Sequence, residues 1–367
     1  MPFGKVKKTK GPIDSLKKTY FWPRRLIALS TISLLFTFSI GGMSSTAQAF
    51  KLVWPTPNPA FHKGYLLETY IQPTGSGRIA SGLFGCQRND GKRFHEGIDL
   101  KAIYHDRYGD AEDAVFAVMA GKVAYINKTA GNSSYGRYIV LIHDSVQPTV
   151  YTLYAHLSHI AQGIREDLRI EAGTVIGTIG HSAAGYIIPK QRAHLHFEIG
   201  LRLSDDFQKW YDRQGFGTPN LHGFWNGMNL VGIDPLHFYE AMSNDPRLTL
   251  DNYFRELPVA MTLQIATHRI PDFIRRYPTL LTGALPHAEI HGWEIAFTGF
   301  GLPKSWRPLS AAEQPISTRE NEMVLINRDK EHIETYACCD AIDFKGEQVL
   351  PGKQLRQRLD ILFGGKL

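Results

Sequence analysis

The sequence predicts a mainly β fold, with one all-β domain followed by a second β-rich one. Three observations carry this. Between residues 114 and 199, short runs rich in Val, Ile and Tyr recur at 114–120, 121–126, 137–143, 149–156, 173–179 and 193–199. Glycines punctuate them, and no long amphipathic helical pattern interrupts them. This is the spacing of strands in an all-β domain. After residue 246, further strand-like runs appear at 259–266, 293–297, 322–326 and 332–336, with a short helix expected over 271–277.

The elements fall in order along the chain. Residues 1–49 carry eight Lys or Arg against one Asp, an apolar run from Leu26 to Met43, and Ala47-Gln48-Ala49. Basic, apolar and small-x-small regions in that order read as a secretory signal peptide. The apolar run approaches spanning length, so an uncleaved N-terminal membrane anchor is the alternative. Either way the remainder is expected in the cell envelope, periplasmic or secreted, touching a membrane only through this segment. Removing it leaves 33 basic and 34 acidic residues of the original 41 and 35, so no basic signature for nucleic acid remains. Residues 50–63 form a Pro-rich entry (Trp54-Pro55-Thr56-Pro57-Asn58-Pro59). The first folded domain is expected over 64–242. Its segment 201–232 reads as irregular, aromatic and long for a connection, which suggests a wall of a substrate groove. Ser243-Asn244-Asp245-Pro246 marks the boundary to a C-terminal domain, 246–367, in which no motif is readable. Three cysteines follow the leader, an odd number for an oxidising compartment. A Cys338–Cys339 ring would be strained, which leaves Cys86 paired with one of them, or three unpaired thiols.

The chemistry concentrates in two short motifs. His95-Glu96-Gly97-Ile98-Asp99 sets a histidine and an aspartate four apart, on one face if the segment is a strand. His194-Leu195-His196 sets two histidines on one face, with Leu195 and Phe197 on the other. Two His and a carboxylate form the three-ligand set of a catalytic zinc site, with the fourth position left to water. Zinc lowers that water's pKa toward about 7 and polarises a carbonyl, so amide hydrolysis is the natural reaction. The fifth residue of the first motif is Asp99 and Gly97 weakens a helix, which rejects the helical H-E-x-x-H reading. The same ligand types serve non-haem iron, but no co-substrate site is readable. His156 ends another strand-like run; with His194 it suits proton transfer and oxyanion stabilisation beside the metal. Glu198 has two readings, a partner orienting an imidazole or a half-exposed strand residue. Eleven further histidines, His105, His143, His159 and His181 among them, fall at no metal-ligand spacing.

Beyond these motifs, the chain resembles the lysostaphin-type (LytM-like) zinc metallopeptidases. Ser81-Gly82-Leu83-Phe84-Gly85 with Arg88, His95 to Leu100, AVMAGKV at 117–123, YGRYIVLIH at 135–143, YAHL at 154–157, residues 172–180 and AHLHFEI at 193–199 follow in the family's order. The resemblance spans about 64–239. It implies an antiparallel β-sheet groove of barrel-sandwich type, Zn2+ on His95, Asp99 and His196, and His156 and His194 as catalytic partners. It also implies a peptidoglycan hydrolase that cuts stem-peptide cross-links or bridges, a D-alanyl to diaminopimelyl link being the first expectation. The chain departs from the family pattern at Cys86-Gln87, 103–112, 183–192 and 201–232, loops expected to rim the groove and set specificity. The rival readings are a wall-binding or regulatory protein with a masked site, with a protein partner for the C-terminal domain, and a protease for other peptides.

Overall fold

The computed structural model describes residues 50–365 except 284, 286–288, 314–318 and 346–347. The leader and its Ala-x-Ala site lie outside the described residues, among which no helix is long and apolar enough to cross a membrane. Strands run in order β1 Gly85–Arg88, β2 Arg93–His95, β3 Ile98–Lys101, β4 Ala114–Phe116, β5 Gly121–Asn127, β6 Arg137–His143, β7 Val150–Leu157, β8 His159–Ile160, β9 Arg169–Ile170, β10 Val175–Thr178, β11 His194–Arg202 and β12 Leu230–Ile233. The second part adds β13 Met261–Ile265, β14 Gly292–Phe297, β15 Pro303–Leu309, β16 Met323–Arg328, β17 Ile342–Lys345 and β18 Gln348–Pro351.

All named strand pairs are antiparallel, in agreement with the mainly β expectation. The main sheet orders β12-β11-β7-β6-β5-β9, and β3 pairs with the first half of β11. Period-two alternation divides β11: Leu195, Phe197, Ile199 and Leu201 enter the apolar core, while His194, His196 and Glu198 take the opposite face. That polar face is itself buried. Smaller sheets are β1-β2 and β4-β10-β8. The second part is built on β15-β14-β13-β16, with β17-β18 beside it. One apolar cluster runs through both parts, from Ile71 and Phe197 to Trp293 and Phe297.

Several expectations need correction. Residues 332–336 are not a strand. They lie in a helix and the turn after it, Lys330–Thr335, where the Asp329 carboxylate accepts from His332 N at 3.2 Å. An N-cap carboxylate and a polar Lys-Glu-His-Ile-Glu-Thr run outweigh the weak alternation there. Segment 201–232 is not irregular throughout, for it holds the end of β11, a helix at Phe207–Gln214 that buries Phe207 and Trp210, and β12. Strand β15 escaped notice because Pro303 and Pro308 argue against a strand; it lies at the edge of its sheet, where proline is tolerated. The helix expected over 271–277 is present at Asp272–Arg276. Helices at Pro235–Asn244, Leu250–Glu256 and Lys353–Leu362 were unread.

Of the alternatives open for the cysteines, the structure has the Cys86–Cys338 bridge, across 252 residues of sequence. It ties β1 to the second part of the chain. Cys339 stays a buried thiol, and burial pushes its pKa up to about 11.

Candidate metal centre

His95 and Asp99 do not share one strand. His95 ends β2 and Asp99 belongs to β3, with Glu96-Gly97 between them. A side chain at Gly97 would stand 2.1 Å from the Phe197 carbonyl oxygen, so this break lies hard against β11 and requires glycine. Past the break, β3 pairs with β11 in the register that sets Asp99 opposite His196. Directly opposed residues project to the same face. The convergence expected from two same-face pairs therefore occurs, through cross-strand pairing rather than through one strand.

The three atoms nearest one another form a triangle. His95 Nε2 lies 3.0 Å from His196 Nδ1 and 3.1 Å from Asp99 Oδ1, and His196 Nδ1 lies 3.1 Å from Asp99 Oδ1. Ligands of a tetrahedral zinc with bonds of roughly 2.0–2.1 Å stand about 3.3 Å apart, so two nitrogens and an oxygen in this triangle fit such an ion and leave a fourth position.

Each imidazole is anchored by its far nitrogen. His95 Nδ1 donates to Leu83 O at 2.9 Å, and His196 Nε2 donates to Glu198 Oε1 at 2.9 Å. His156 Nδ1 donates to Ser182 O at 2.8 Å, and His194 Nδ1 to Arg192 O at 2.7 Å. Such outer bonds fix ring orientation and tautomer and leave the other nitrogen for the site. The His156 and His194 rings are 4.8 Å apart, and His156 lies 5.9 Å from His196. His156 has φ +62°, a left-handed conformation that costs a non-glycine residue about 1 kcal/mol or more. Gly136, also left-handed, allows the close approach of Ser182, since a side chain there would meet Ser182 O at 2.1 Å.

Glu198 is not half exposed. It is buried, and besides His196 it accepts from Tyr135 Oη at 2.6 Å and Tyr151 Oη at 2.9 Å. Tyr135 and Tyr151 were missed, because nothing in their local spacing shows that they point at one carboxylate. Burial and then Glu198 hold both phenols well above their usual range. Arg88 reads in sequence only as part of the entry segment, yet its Nη2 stands 2.8 Å from His95 Nε2, an atom of the triangle, and 2.5 Å from Asp99 Oδ2, the carboxylate oxygen outside it.

The electrostatics separate the imidazoles. Burial lowers the pKa of His95 and His194, and burial with the neighbouring His194 holds His156 well below its usual range. These rings are neutral near pH 7. Burial alone would raise Asp99, but His95, His194 and Arg88 together hold it well below the usual carboxylate range. Burial also disfavours a charged His196, but its bonds to Asp99 and Glu198 prevail and lift its pKa to about 9.

Two of the four departing segments, 103–112 and 183–192, meet at one cavity, which none of the five site side chains lines. The cavity, of about 670 Å³, is lined by Asp110 and Glu112 from the first, Tyr186 and Ile188 from the second, and Arg137 and Ser182 from the frame around His156. His181 lines it too, 3.7 Å from Asp110, whereas His143 is a core residue bonded to Ala120 O at 2.9 Å. From segment 201–232, Trp225 and Leu230 pack with Tyr151 on the sheet face that carries Glu198. Gly227 backs onto Tyr135.

The fold and site thus define a β-sheet protein with a buried His-Asp-His cluster and two further neutral histidines beside it. Residues 93–206 match the model of peptidase family M23, which bears out the lysostaphin-type resemblance over that stretch. Among solved structures, the catalytic domain of the antimicrobial peptidase lysostaphin from Staphylococcus simulans is 19% identical, with a TM-score of 0.28, over 47% of this chain and 95% of that domain. A putative glycyl-glycine endopeptidase lytM from Ruminococcus gnavus is 22% identical, TM-score 0.28, over 42% of this chain and 50% of that one. A zinc containing peptidase from Vibrio cholerae is 25% identical, TM-score 0.25, over 35% of each chain. Comparison with curated protein sequences finds no match.

Proposed function

We propose that the chain is a zinc endopeptidase that hydrolyses peptide cross-links or bridges of bacterial peptidoglycan, acting outside the cytoplasm behind the leader formed by residues 1–49. The observation that carries this is the triangle of His95 Nε2, Asp99 Oδ1 and His196 Nδ1, with the far nitrogen of each imidazole already bonded. The M23 match over 93–206 supports a peptidase, and zinc dependence is typical of that family.

Zinc held by those three residues would supply Lewis acidity and a water of lowered pKa. The chain's own residues supply the rest. His156 and His194, neutral and with Nδ1 bonded to a carbonyl, keep Nε2 available to take a proton and return it to the leaving amine. The same nitrogens, once protonated, stabilise the negative charge that develops on the scissile carbonyl oxygen. Glu198 holds the His196 ring, and Tyr135 and Tyr151 hold Glu198. The cavity between the 103–112 and 183–192 loops reaches toward these groups through Ser182, which holds His156, and Tyr186, whose ring lies 6.4 Å from that of His156, and offers a place for part of a peptide.

The test is release of soluble peptides from purified peptidoglycan, read by mass spectrometry, for the zinc-loaded protein and for His156→Ala. New amino termini that disappear in the variant are expected. A zinc-loaded protein that releases nothing from any peptidoglycan type would contradict the enzyme reading and leave the regulatory one.

A further inference from the structure

Strand β1 is irregular where it approaches the ligands. Its pairing with β2 shifts register between Gly85 and Arg88, and within that bulge Cys86 is bonded to Cys338. A bulge re-aims the side chains that follow it. Arg88 is thereby turned inward, with Nε donating to Ser81 O at 3.2 Å and Nη2 reaching Asp99 Oδ2 and His95 Nε2.

His95 donates from Nδ1 to Leu83 O, so Nε2 presents only its lone pair. Arg88 Nη2 points a donor at that same lone pair, 2.8 Å away. One lone pair cannot serve a guanidinium and a metal together. Asp99, buried beside it, is an anion that needs a cation close by. Among the described residues, Arg88 is the group bonded to its Oδ2.

We propose that Arg88 is the internal counter-cation of the metal site: in the metal-free chain it neutralises Asp99 and covers His95 Nε2, and zinc must displace it from His95 to load. The inference rests on the zinc reading above. The route out exists, because one-fifth of the Arg88 side chain is exposed while its ligand partners are buried. The backbone need not move with it, since the Cys86 bridge anchors the strand two residues away. A neutral side chain at position 88 frees the lone pair and leaves Asp99 Oδ2 without its guanidinium, with the His196 bond on Oδ1 remaining among the described residues. Both changes favour zinc.

The experiment measures zinc dissociation constants on the full chain by competition with a chromophoric chelator, at one pH, for the parent, Arg88→Gln, Arg88→Met and Arg88→Lys. The two neutral variants are expected to bind zinc about tenfold or more tightly than the parent, the size of one charge-assisted hydrogen bond. Arg88→Lys, which keeps the charge, stays near the parent. Two differently shaped neutral side chains guard against one of them failing to fold. Equal or weaker binding in a folded neutral variant would overturn the proposal, since the arginine would then only align Asp99. Failure of all four proteins to bind zinc would sink the metal reading itself and this inference with it.

Discussion

The sheet around β11 and the sheet β15-β14-β13-β16 bury different things. The first hides His95, Asp99, His156, His194, His196 and Glu198. The second hides Met261, Leu263, Ile265, Trp293, Ile295, Phe297 and Trp306. Burying polar groups costs free energy unless each finds a partner, and here each does. A sheet interior that accepts that cost is organised around a task, whereas an apolar one is organised around stability. The difference predicts that substitutions in the second sheet act on folding, and those in the first on metal binding and chemistry.

The largest effect on stability belongs to the apolar sheet. Trp306 is fully buried against Trp293 and Phe273. Trp306→Ala should cost about 3–5 kcal/mol in denaturant unfolding, without altering the zinc content of the fraction that stays folded. A matching loss of zinc from that folded fraction would break the division between the sheets.

His143 sharpens it from the other side, being polar and buried in the first sheet yet bonded to Ala120 O and Thr152 Oγ1 rather than to the cluster. Burial lowers its pKa from 6.5 to about 4. The folded state then binds fewer protons than the unfolded one between those values, so its contribution is full above pH 6.5 and is lost as pH falls toward 4. The total is about 3 kcal/mol. Urea midpoints at pH 7 and pH 4.5 should fall less in His143→Gln than in the parent, and zinc affinity at pH 7 should be unchanged.

Glu198→Gln probes the polar face directly. The carboxylate accepts from His196, Tyr135 and Tyr151, and an amide presents an N–H to one of those donors. Zinc affinity should drop by about 10- to 100-fold with little loss of stability. Tyr151→Phe, which removes one of the three donors, should give the smallest effect, about threefold or less in the same assay. An effect of Tyr151→Phe as large as that of Glu198→Gln would mean that the phenol, not the carboxylate, holds the ring.

The same contrast explains what could be read from the residues. His95, Asp99, His156, His194 and His196 stood out because metal chemistry restricts both residue type and spacing, and β-strand periodicity turns His194 and His196 to one face. The break at Glu96-Gly97 was invisible, since its cause is the Phe197 backbone about a hundred positions away. Arg88, Tyr135 and Tyr151 were missed for the same reason: their roles follow from which strands are neighbours, and short spacings do not carry that. Trp293 and Trp306 show only that a core exists, because many apolar arrangements fill one; of residues 246–365 the strands near 259–266, 293–297 and 322–326 and the helix over 271–277 are legible, while β15, β17, β18 and the flanking helices are not. The helix at Lys330–Thr335 was mistaken for a strand because its decisive signal is one capping carboxylate, Asp329.

The most direct test of the central claim is metal content with activity, measured side by side on the parent protein and His196→Ala after removal of metal and reloading with zinc. The account predicts about one zinc per chain and peptide release from peptidoglycan in the parent, with both lost in the variant while its fold persists. A variant that still binds one zinc and cleaves, or a parent that cleaves without metal, would contradict it.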